Sequence, residues 1–413
     1  MRFDHARRHL ELLSRRDALK LGAAGAATAA IGGLTLPSAG ASARRGGDEH
    51  AEGEGGDVSF DEMFDDAIFD IEAVVAGAWA PGPYGAEDQR GTFNEVTAER
   101  TAAALAMLDT GQPVHTFQLG ELVFNGFPAY PSDPPRVHEQ HLYSTGHPDL
   151  PDGFADAGGI VSSTEPVGPN LVTGFEERYS EYYTLQIATQ IDGLGHVGVG
   201  GTYYNGHTAA DLATPTGLAL LGNEHMGPIV TRGVVLDIVG LKVSAGASDD
   251  VFEAPNGRPV LRDNYRITID DINHCLYRQR IEQPIGAGDV VIFHTGWTHL
   301  VSDDPERYLT QEPGPYLAEA RYLASKKVAM IGSDVWGLEV LDPEVTGGYL
   351  FPVHQELFGK HGIRIGEGFV TDAAIDAGVY DGVFLATPQN VAGATAGNAP
   401  PALLGQPGPG ARD

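Results

Sequence analysis

The chain has 413 residues, of which 42% are hydrophobic, and this is enough to bury the core of one large domain or of two ordinary ones. Its 26 basic and 56 acidic residues give a formal net charge of −30, which argues against binding to nucleic acid or to an anionic membrane surface, since both require positive charge. Cys275 is the only cysteine, so the sequence allows no internal disulfide and no cysteine-based zinc site.

The N-terminal segment has the pattern of an export signal. Residues 14–20 read Ser-Arg-Arg-Asp-Ala-Leu-Lys, which resembles the twin-arginine export motif, and a mild apolar run follows at 21–36. Residues 41–43 read Ala-Ser-Ala and fit a small-x-small cleavage site. The apolar run is too short and too rich in Gly and Ala for a permanent membrane span, so residues 1–43 are predicted to be a cleaved signal peptide and the mature protein to be periplasmic or extracellular. The acidic excess, spread along the chain, then fits either a halophilic host or an ordinary acidic exported protein.

The rest of the chain divides into three predicted parts: a flexible acidic and Gly-rich leader at 44–60, a folded domain at 61–400, and a Pro/Gly-rich tail at 401–413. Apolar spacing predicts helices in the segments 61–79, 97–108, 270–279 and 317–325. Alternating or β-branched runs predict strands in the segments 114–122, 233–239, 289–294 and 328–332. With two further strands, at 183–192 and ending at Glu367, and one further helix near residue 353, the predicted strands outnumber the helices. Nothing marks a boundary after residue 60, and this predicts one α/β domain around a mixed sheet.

Residues 125–170 are dense in Pro, Gly, Asp and His, and this composition predicts a long loop. Structureless loops of this length are uncommon in compact domains and are usually functional or disordered. His138 and His141 have a spacing that allows chelation, but no predicted helix anchors them, which favours a flexible polar loop that covers a site.

Two stretches carry the candidate chemistry. Residues 183–192 alternate like a strand, which places Gln186, Gln190 and Asp192 on one face, and His196 follows in a glycine-rich turn. Downstream, a helix is predicted to start near residue 353 with His354 at its beginning, and a short strand then presents Glu367. Taken alone, a histidine at a helix start is more often structural and a glutamate more often solvated.

Together these stretches resemble the cyclase family of metal-dependent hydrolases, which includes bacterial kynurenine formamidase and isatin hydrolase. The family motif His-x-Gly-Thr-His-x-Asp-x-Pro-x-His aligns with residues 186–196, which read Gln-Ile-Ala-Thr-Gln-Ile-Asp-Gly-Leu-Gly-His. A branch that reads Thr-Gln-Trp-Asp-Ala-Leu-x-His, followed by Tyr-Asn-Gly, is especially similar to residues 189–196 and 204–206. Further matches in the same order cover about residues 75 to 400; they lie at 85–94, 134–136, 232–237, 288–297, 332–337 and 351–357.

The resemblance implies roles for individual residues. Asp192, His354 and Glu367 stand at positions of metal ligands, and His196 stands where the family has its proton donor and acceptor. Gln186 and Gln190 replace two histidines, and an amide oxygen is a weaker ligand than imidazole for zinc or a similar metal. One divalent ion, zinc or manganese, is therefore expected rather than two, with Gln190 either an occasional ligand or a substrate contact.

The resemblance also implies a swivelling β/β/α fold, a homo-oligomer that is dimeric or larger, and a small-molecule substrate. The expected activity is metal-dependent hydrolysis of a carbon–nitrogen bond in a formamide or lactam, or of a lactone, with His196 as the acid–base residue. The alternative is a non-catalytic exported binding protein on the same fold, which the two glutamines favour. Additional candidates for contact with the substrate are Trp79, Tyr84, His138, Tyr204 and Trp336.

Overall fold

The computed structural model describes residues 64–407, so the predicted signal peptide, the leader at 44–60 and residues 408–413 of the predicted tail lie outside the described residues. Among residues 64–407 there are ten α-helices: α1 (Ile71–Val75), α2 (Ala98–Leu105), α3 (Ala209–Leu212), α4 (Ile238–Ala245), α5 (Ile269–Arg278), α6 (Pro305–Thr310), α7 (Leu317–Ser325), α8 (Pro343–Thr346), α9 (Pro352–Glu356) and α10 (Asp372–Asp376). The strands of the same range are β1 (His115–Gln118), β2 (Gln140–Thr145), β3 (Ile160–Ser163), β4 (Gly174–Tyr179), β5 (Gln190–Asp192), β6 (Ala213–Thr214), β7 (Gly217–Leu218), β8 (Ile229–Asp237), β9 (Val251–Glu253), β10 (Pro259–Leu261), β11 (Val290–His294), β12 (Met330–Ser333), β13 (Arg364–Glu367), β14 (Asp381–Ala386), β15 (Ala396–Asn398) and β16 (Ala402–Gly405). None of the described helices has the length and apolar character needed to cross a membrane.

A nine-stranded mixed sheet organises the unit that begins at Asp66, with the strand order β1-β16-β14-β8-β11-β12-β13-β5-β15. The four central neighbours β8, β11, β12 and β13 run parallel. The flanking pairs on both sides are antiparallel. The predicted α/β domain with a mixed sheet is thereby confirmed.

The central strands are apolar because both of their faces are buried. All five residues of β11, Val-Val-Ile-Phe-His, are buried. Phe93, Ile292 and Phe384 belong to a large core cluster on the sheet, and all three are fully buried. Because parallel strands end at the same edge of a sheet, the last residues of β8, β11 and β13 place Asp237, His294 and Glu367 at one edge.

Most of the predicted elements appear, with different ends. Helix α7 has the predicted bounds, and Thr97 caps α2 by accepting the backbone N–H of Arg100 at 3.3 Å. The predicted helix at 61–79 is wrong in extent, because only Ile71–Val75 is α-helical in its described part. The predicted strand at 183–192 is also shorter, because Ala188 has a φ of 58° and only Gln190–Asp192 pairs.

The predicted long loop at 125–170 was wrong. It contains β2 and β3, and β2 pairs with both β3 and β4 in a small sheet of order β3-β2-β4. His141 lies within β2, and its Nδ1 is 2.9 Å from the carbonyl oxygen of Gly158. His138 is buried and its ring contacts those of Tyr179 and Tyr183 edge-on, so the two histidines have separate surroundings.

Candidate metal centre

Asp192, His354 and Glu367 come together in the folded chain. One ligand atom from each lies within 4.8 Å of the ligand atoms of the other two, and all three side chains are buried. They come from β5, α9 and β13, three elements that are distant in sequence. Two carboxylates and one imidazole are a donor set that suits zinc or manganese.

Strand pairing places the carboxylates. β5 and β13 are antiparallel neighbours, with Gln190 directly opposite Glu367. Asp192 lies two residues further along β5 and therefore projects from the same face as Gln190. The register thus brings the Asp192 and Glu367 side chains to one face, with Gln190 between them.

Glu339 fixes the ring of His354. Its Oε1 accepts hydrogen bonds from His354 Nδ1 at 2.7 Å and from the His354 backbone N–H at 2.9 Å. Its Oε2 accepts the Val353 backbone N–H at 2.9 Å, so this one carboxylate also satisfies the start of α9. His354 Nε2 is left facing Glu367 Oε1 at 3.2 Å. A carboxylate on the far ring nitrogen is the usual outer partner of a metal-binding histidine, and it assigns the proton to Nδ1.

Proton affinity in the cluster is strongly perturbed. Burial lowers the pKa of His354, but the hydrogen bonds and charges of Glu339 and Glu367 outweigh it and raise the pKa to about 10. Burial and the charge of Asp192 raise the pKa of Glu367 to about 7, against the opposing effect of His354. The concentration of buried acceptors therefore favours added positive charge, which either protons or a cation can supply.

Gln190 occupies the centre of the carboxylate group. Its Nε2 donates to Glu367 Oε2 at 2.7 Å and to Gln186 Oε1 at 2.9 Å, and it is 3.4 Å from Asp192 Oδ1. The opposite amide orientation would put Gln190 Oε1 against three acceptor oxygens, so the surroundings determine the orientation. Gln190 thus uses one oxygen of each carboxylate and leaves Asp192 Oδ2 and Glu367 Oε1 for other partners.

The remaining oxygens match the requirement of a cation. Asp192 Oδ2 is buried and has no hydrogen-bond partner in the described structure. Glu367 Oε1 faces only His354 Nε2, which is itself a ligand atom. An unpaired buried carboxylate oxygen is costly, so a bound divalent ion would remove a penalty that the protein otherwise carries. The residues present therefore fit one metal ion.

His196 lies beside this cluster. Its Nε2 is 3.8 Å from Asp192 Oδ2, which is too long for a hydrogen bond, and its side chain is 20% exposed. Burial lowers the pKa of His196, Asp192 opposes this shift, and the positive charges of His354 and Arg136 add to it. The imidazole is consequently neutral near pH 7 and able to accept a proton.

A narrow cavity of about 20 Å³ lies next to Gln190 and Glu367, with room for one water molecule or for a single oxygen of a larger ligand. Trp336 lines it, as does Tyr130, and the two ring centroids are 5.2 Å apart. Arg136 also lines it, with its guanidinium 5.5 Å from the centre of the Tyr130 ring. The cavity connects the candidate metal cluster with an aromatic wall.

Four other candidates for substrate contact lie elsewhere. Trp79 packs on Phe69 with ring centroids 4.7 Å apart. Tyr84 donates to Glu95 at 3.0 Å, and the hydroxyl of Tyr204 donates to Asp88. These three residues and His138, which packs against tyrosines, do not line the cavity; of the predicted substrate contacts, only Trp336 does. The sequence did not indicate Glu339, Tyr308 or Arg136 as parts of this region; the last occurs within the matched stretch 134–136.

Comparisons with known proteins agree with this fold. Residues 90–340 match the model of a family described as "Putative cyclase". A crystal structure described as a novel cyclase is similar over 82% of this chain and 99% of its own, with 24% identity and a TM-score of 0.62. Isatin hydrolase A from Ralstonia solanacearum has 17% identity, covers 73% of this chain and 95% of its own, and has a TM-score of 0.47. A structure titled potential metal-dependent hydrolase with cyclase activity has 19% identity, covers 71% of this chain and 100% of its own, and has a TM-score of 0.40. No curated protein matches the sequence.

Proposed function

The chain belongs to the cyclase family, and on that premise we propose that it is a metal-dependent hydrolase acting on a small molecule. The bond cleaved is an amide in a formamide or lactam, or the ester of a lactone. The observation that carries the proposal is the buried convergence of Asp192, His354 and Glu367, with Asp192 Oδ2 unpaired. A zinc or manganese ion held there would supply Lewis acidity toward a carbonyl group and would lower the pKa of water.

The chain's own residues have distinct tasks in this proposal. Glu339 and Gln190 hold the ligand side chains in place. Glu339 holds the His354 ring, and Gln190 contacts Asp192 Oδ1 and Glu367 Oε2, the carboxylate oxygens that do not face the proposed ion. His196 accepts a proton from the attacking water and returns it to the leaving nitrogen or oxygen. Its partial exposure and its position beside Asp192 support this task.

The cellular setting belongs to the same proposal. The twin-arginine pattern at 14–20 supports export, after which the protein acts in the periplasm or outside the cell. We propose that the protein is a homo-oligomer. We also propose that it binds neither nucleic acid nor membrane, because its net charge of −30 disfavours both.

The experiment begins with elemental analysis of protein purified without chelators. About one equivalent of zinc or manganese is expected, and Asp192→Ala should reduce it. A screen over N-formyl anilides, isatin-like lactams and lactones then identifies the substrate class. His196→Ala should retain the metal but lose about 10²–10⁴ in rate, because general acid–base catalysis is worth that much.

His225→Ala is the matched control, since His225 is also partly exposed and also lies beside a carboxylate, that of Glu224. Its metal content and turnover should equal those of the unaltered protein. Absence of bound metal, together with no turnover after addition of zinc or manganese, would refute the proposed function.

A further inference from the structure

Tyr308, in α6, is a buried tyrosine whose hydroxyl has no hydrogen-bond partner among the described residues. The residue is 1% exposed and lines the cavity next to Gln190 and Glu367. Its backbone carbonyl accepts the Trp297 indole N–H at 2.9 Å, but within residues 64–407 no group is hydrogen bonded to its hydroxyl. The hydroxyl is not among the fully buried unpaired atoms of the described residues, so it keeps access to open space and can donate to a molecule in the cavity that Tyr308 lines.

The surroundings keep this hydroxyl protonated. Burial raises the pKa of Tyr308 well above its ordinary value, and the nearby carboxyl groups of Glu121, Glu312, Glu367 and Asp334 raise it further. A tyrosine that retains its proton at every working pH is a hydrogen-bond donor. Because it lines the cavity, the place for its acceptor is on the cavity side.

Trp336 provides a second unpaired donor at the same cavity. Its Nε1 is buried and has no hydrogen-bond partner in the described part of the chain. An indole N–H donates but cannot accept, so it too requires an oxygen from a ligand. Arg136 adds a positive charge to the same lining. An oxygen that carries or develops negative charge is the ligand group that these three side chains share.

We propose that Tyr308 is a catalytic residue that, together with Trp336, donates hydrogen bonds to the oxygen of the carbonyl group that is attacked. This inference rests on the proposed function, since it assumes hydrolysis at a carbonyl. Negative charge accumulates on that oxygen when water adds to the carbonyl carbon, and it persists in the carboxylate product. Donors that are already oriented and shielded from water stabilise this charge more than they stabilise the neutral substrate. Tyr308 transfers no proton in this role.

The test compares Tyr308→Phe with Tyr265→Phe. Tyr265 is also buried, but it does not line the cavity, and its hydroxyl donates to Asp271 at 2.9 Å. It is therefore a matched control tyrosine whose hydroxyl has a partner. Tyr308→Phe should lower kcat about 10²–10³-fold with little change in KM, the usual effect of losing one oxyanion donor. It should also leave the melting temperature unchanged or higher, whereas Tyr265→Phe should lower the melting temperature and leave kcat unchanged.

A measurement without turnover separates this inference from the proposed function. Calorimetric titration of the zinc-loaded protein with benzoate, a simple aromatic carboxylate, should show binding that Tyr308→Phe weakens at least tenfold. Benzoate binding with this loss but without hydrolysis of any substrate would refute the proposed function and leave the donor role standing. Four results would each refute the role of Tyr308. Two concern the substituted protein: an active Tyr308→Phe variant with unchanged kcat, or a lower melting temperature of Tyr308→Phe. The other two concern benzoate: equal affinity in the two proteins, or no binding by the unaltered protein.

Discussion

Glu339 offers the sharpest test of how the candidate metal centre is built. Its carboxylate accepts three hydrogen bonds, two from the start of α9 and one from His354 Nδ1. In Glu339→Gln the shape is kept, but the charge is lost and the amide NH₂ must face at least one N–H donor. Loss of an outer partner of a metal ligand typically reduces metal affinity 10–100-fold. Each factor of ten corresponds to about 1.4 kcal/mol, so the expected loss is about 1.4–2.8 kcal/mol.

The assay is calorimetric titration of metal-free protein with zinc and, separately, with manganese. Glu344→Gln is the control, because Glu344 is exposed in the first turn of α8 and its substitution should leave metal affinity unchanged. A second readout is thermal unfolding without metal, in which loss of the start-of-helix contacts should cost about 1 kcal/mol. Metal affinity in Glu339→Gln equal to that of the unaltered protein would refute the orienting role of Glu339.

Two further predictions concern stability. Thr97→Ala should lower the free energy of unfolding by about 1 kcal/mol in urea denaturation, because Thr97 caps α2, and no change would show that its hydrogen bond contributes nothing. Burial lowers the pKa of His294, but the hydrogen bond and charge of Asp334 and the charges of Asp237 and Asp372 raise it to about 9. The stabilisation from this charged imidazole is complete below its unfolded pKa of about 6.5 and is lost as the pH rises through about 9, by at most about 3 kcal/mol. His294→Asn keeps a donor but does not titrate, so its unfolding free energy should vary less between pH 6.5 and 9 than that of the unaltered protein; equal profiles would contradict this.

The sequence predicted elements well where burial is regular. Helix α7 has its predicted ends, and the buried strand β11 begins one residue after the predicted start, because continuous apolar runs and helical spacing directly reflect burial. The small sheet of β2, β3 and β4 was missed for the opposite reason. All six residues of β4 are exposed, so the segment lacks the apolar alternation that predicts a strand. Pairing with neighbouring strands, rather than local pattern, maintains it.

The candidate site divides in the same way. Asp192, His354 and Glu367 were predicted from motif positions, and the fold places them together. Glu339 and Tyr308 could not be predicted, because nothing in the neighbouring sequence distinguishes them from an ordinary glutamate or a core tyrosine. Their surroundings consist of groups brought from other parts of the chain, and the absence of a partner for a hydroxyl is a property of the folded chain alone.

The contacts of Gln190 bear on the two roles that the sequence left open for it, an occasional metal ligand and a substrate contact. With a histidine at this position, a ring nitrogen would offer a lone pair to a second ion. The amide instead donates Nε2 to Glu367 and lies near Asp192, so it orients these two side chains, while its Oε1 is buried and has no hydrogen-bond partner among the described residues. With a divalent cation bound, Asp192 and Glu367 would supply two negative charges to balance it, and His354 would be neutral with its Nε2 as a ligand. A second divalent ion at this position would bring positive charge that these two carboxylates do not balance, and an amide oxygen is a weaker ligand than imidazole, so we infer a site for a single ion.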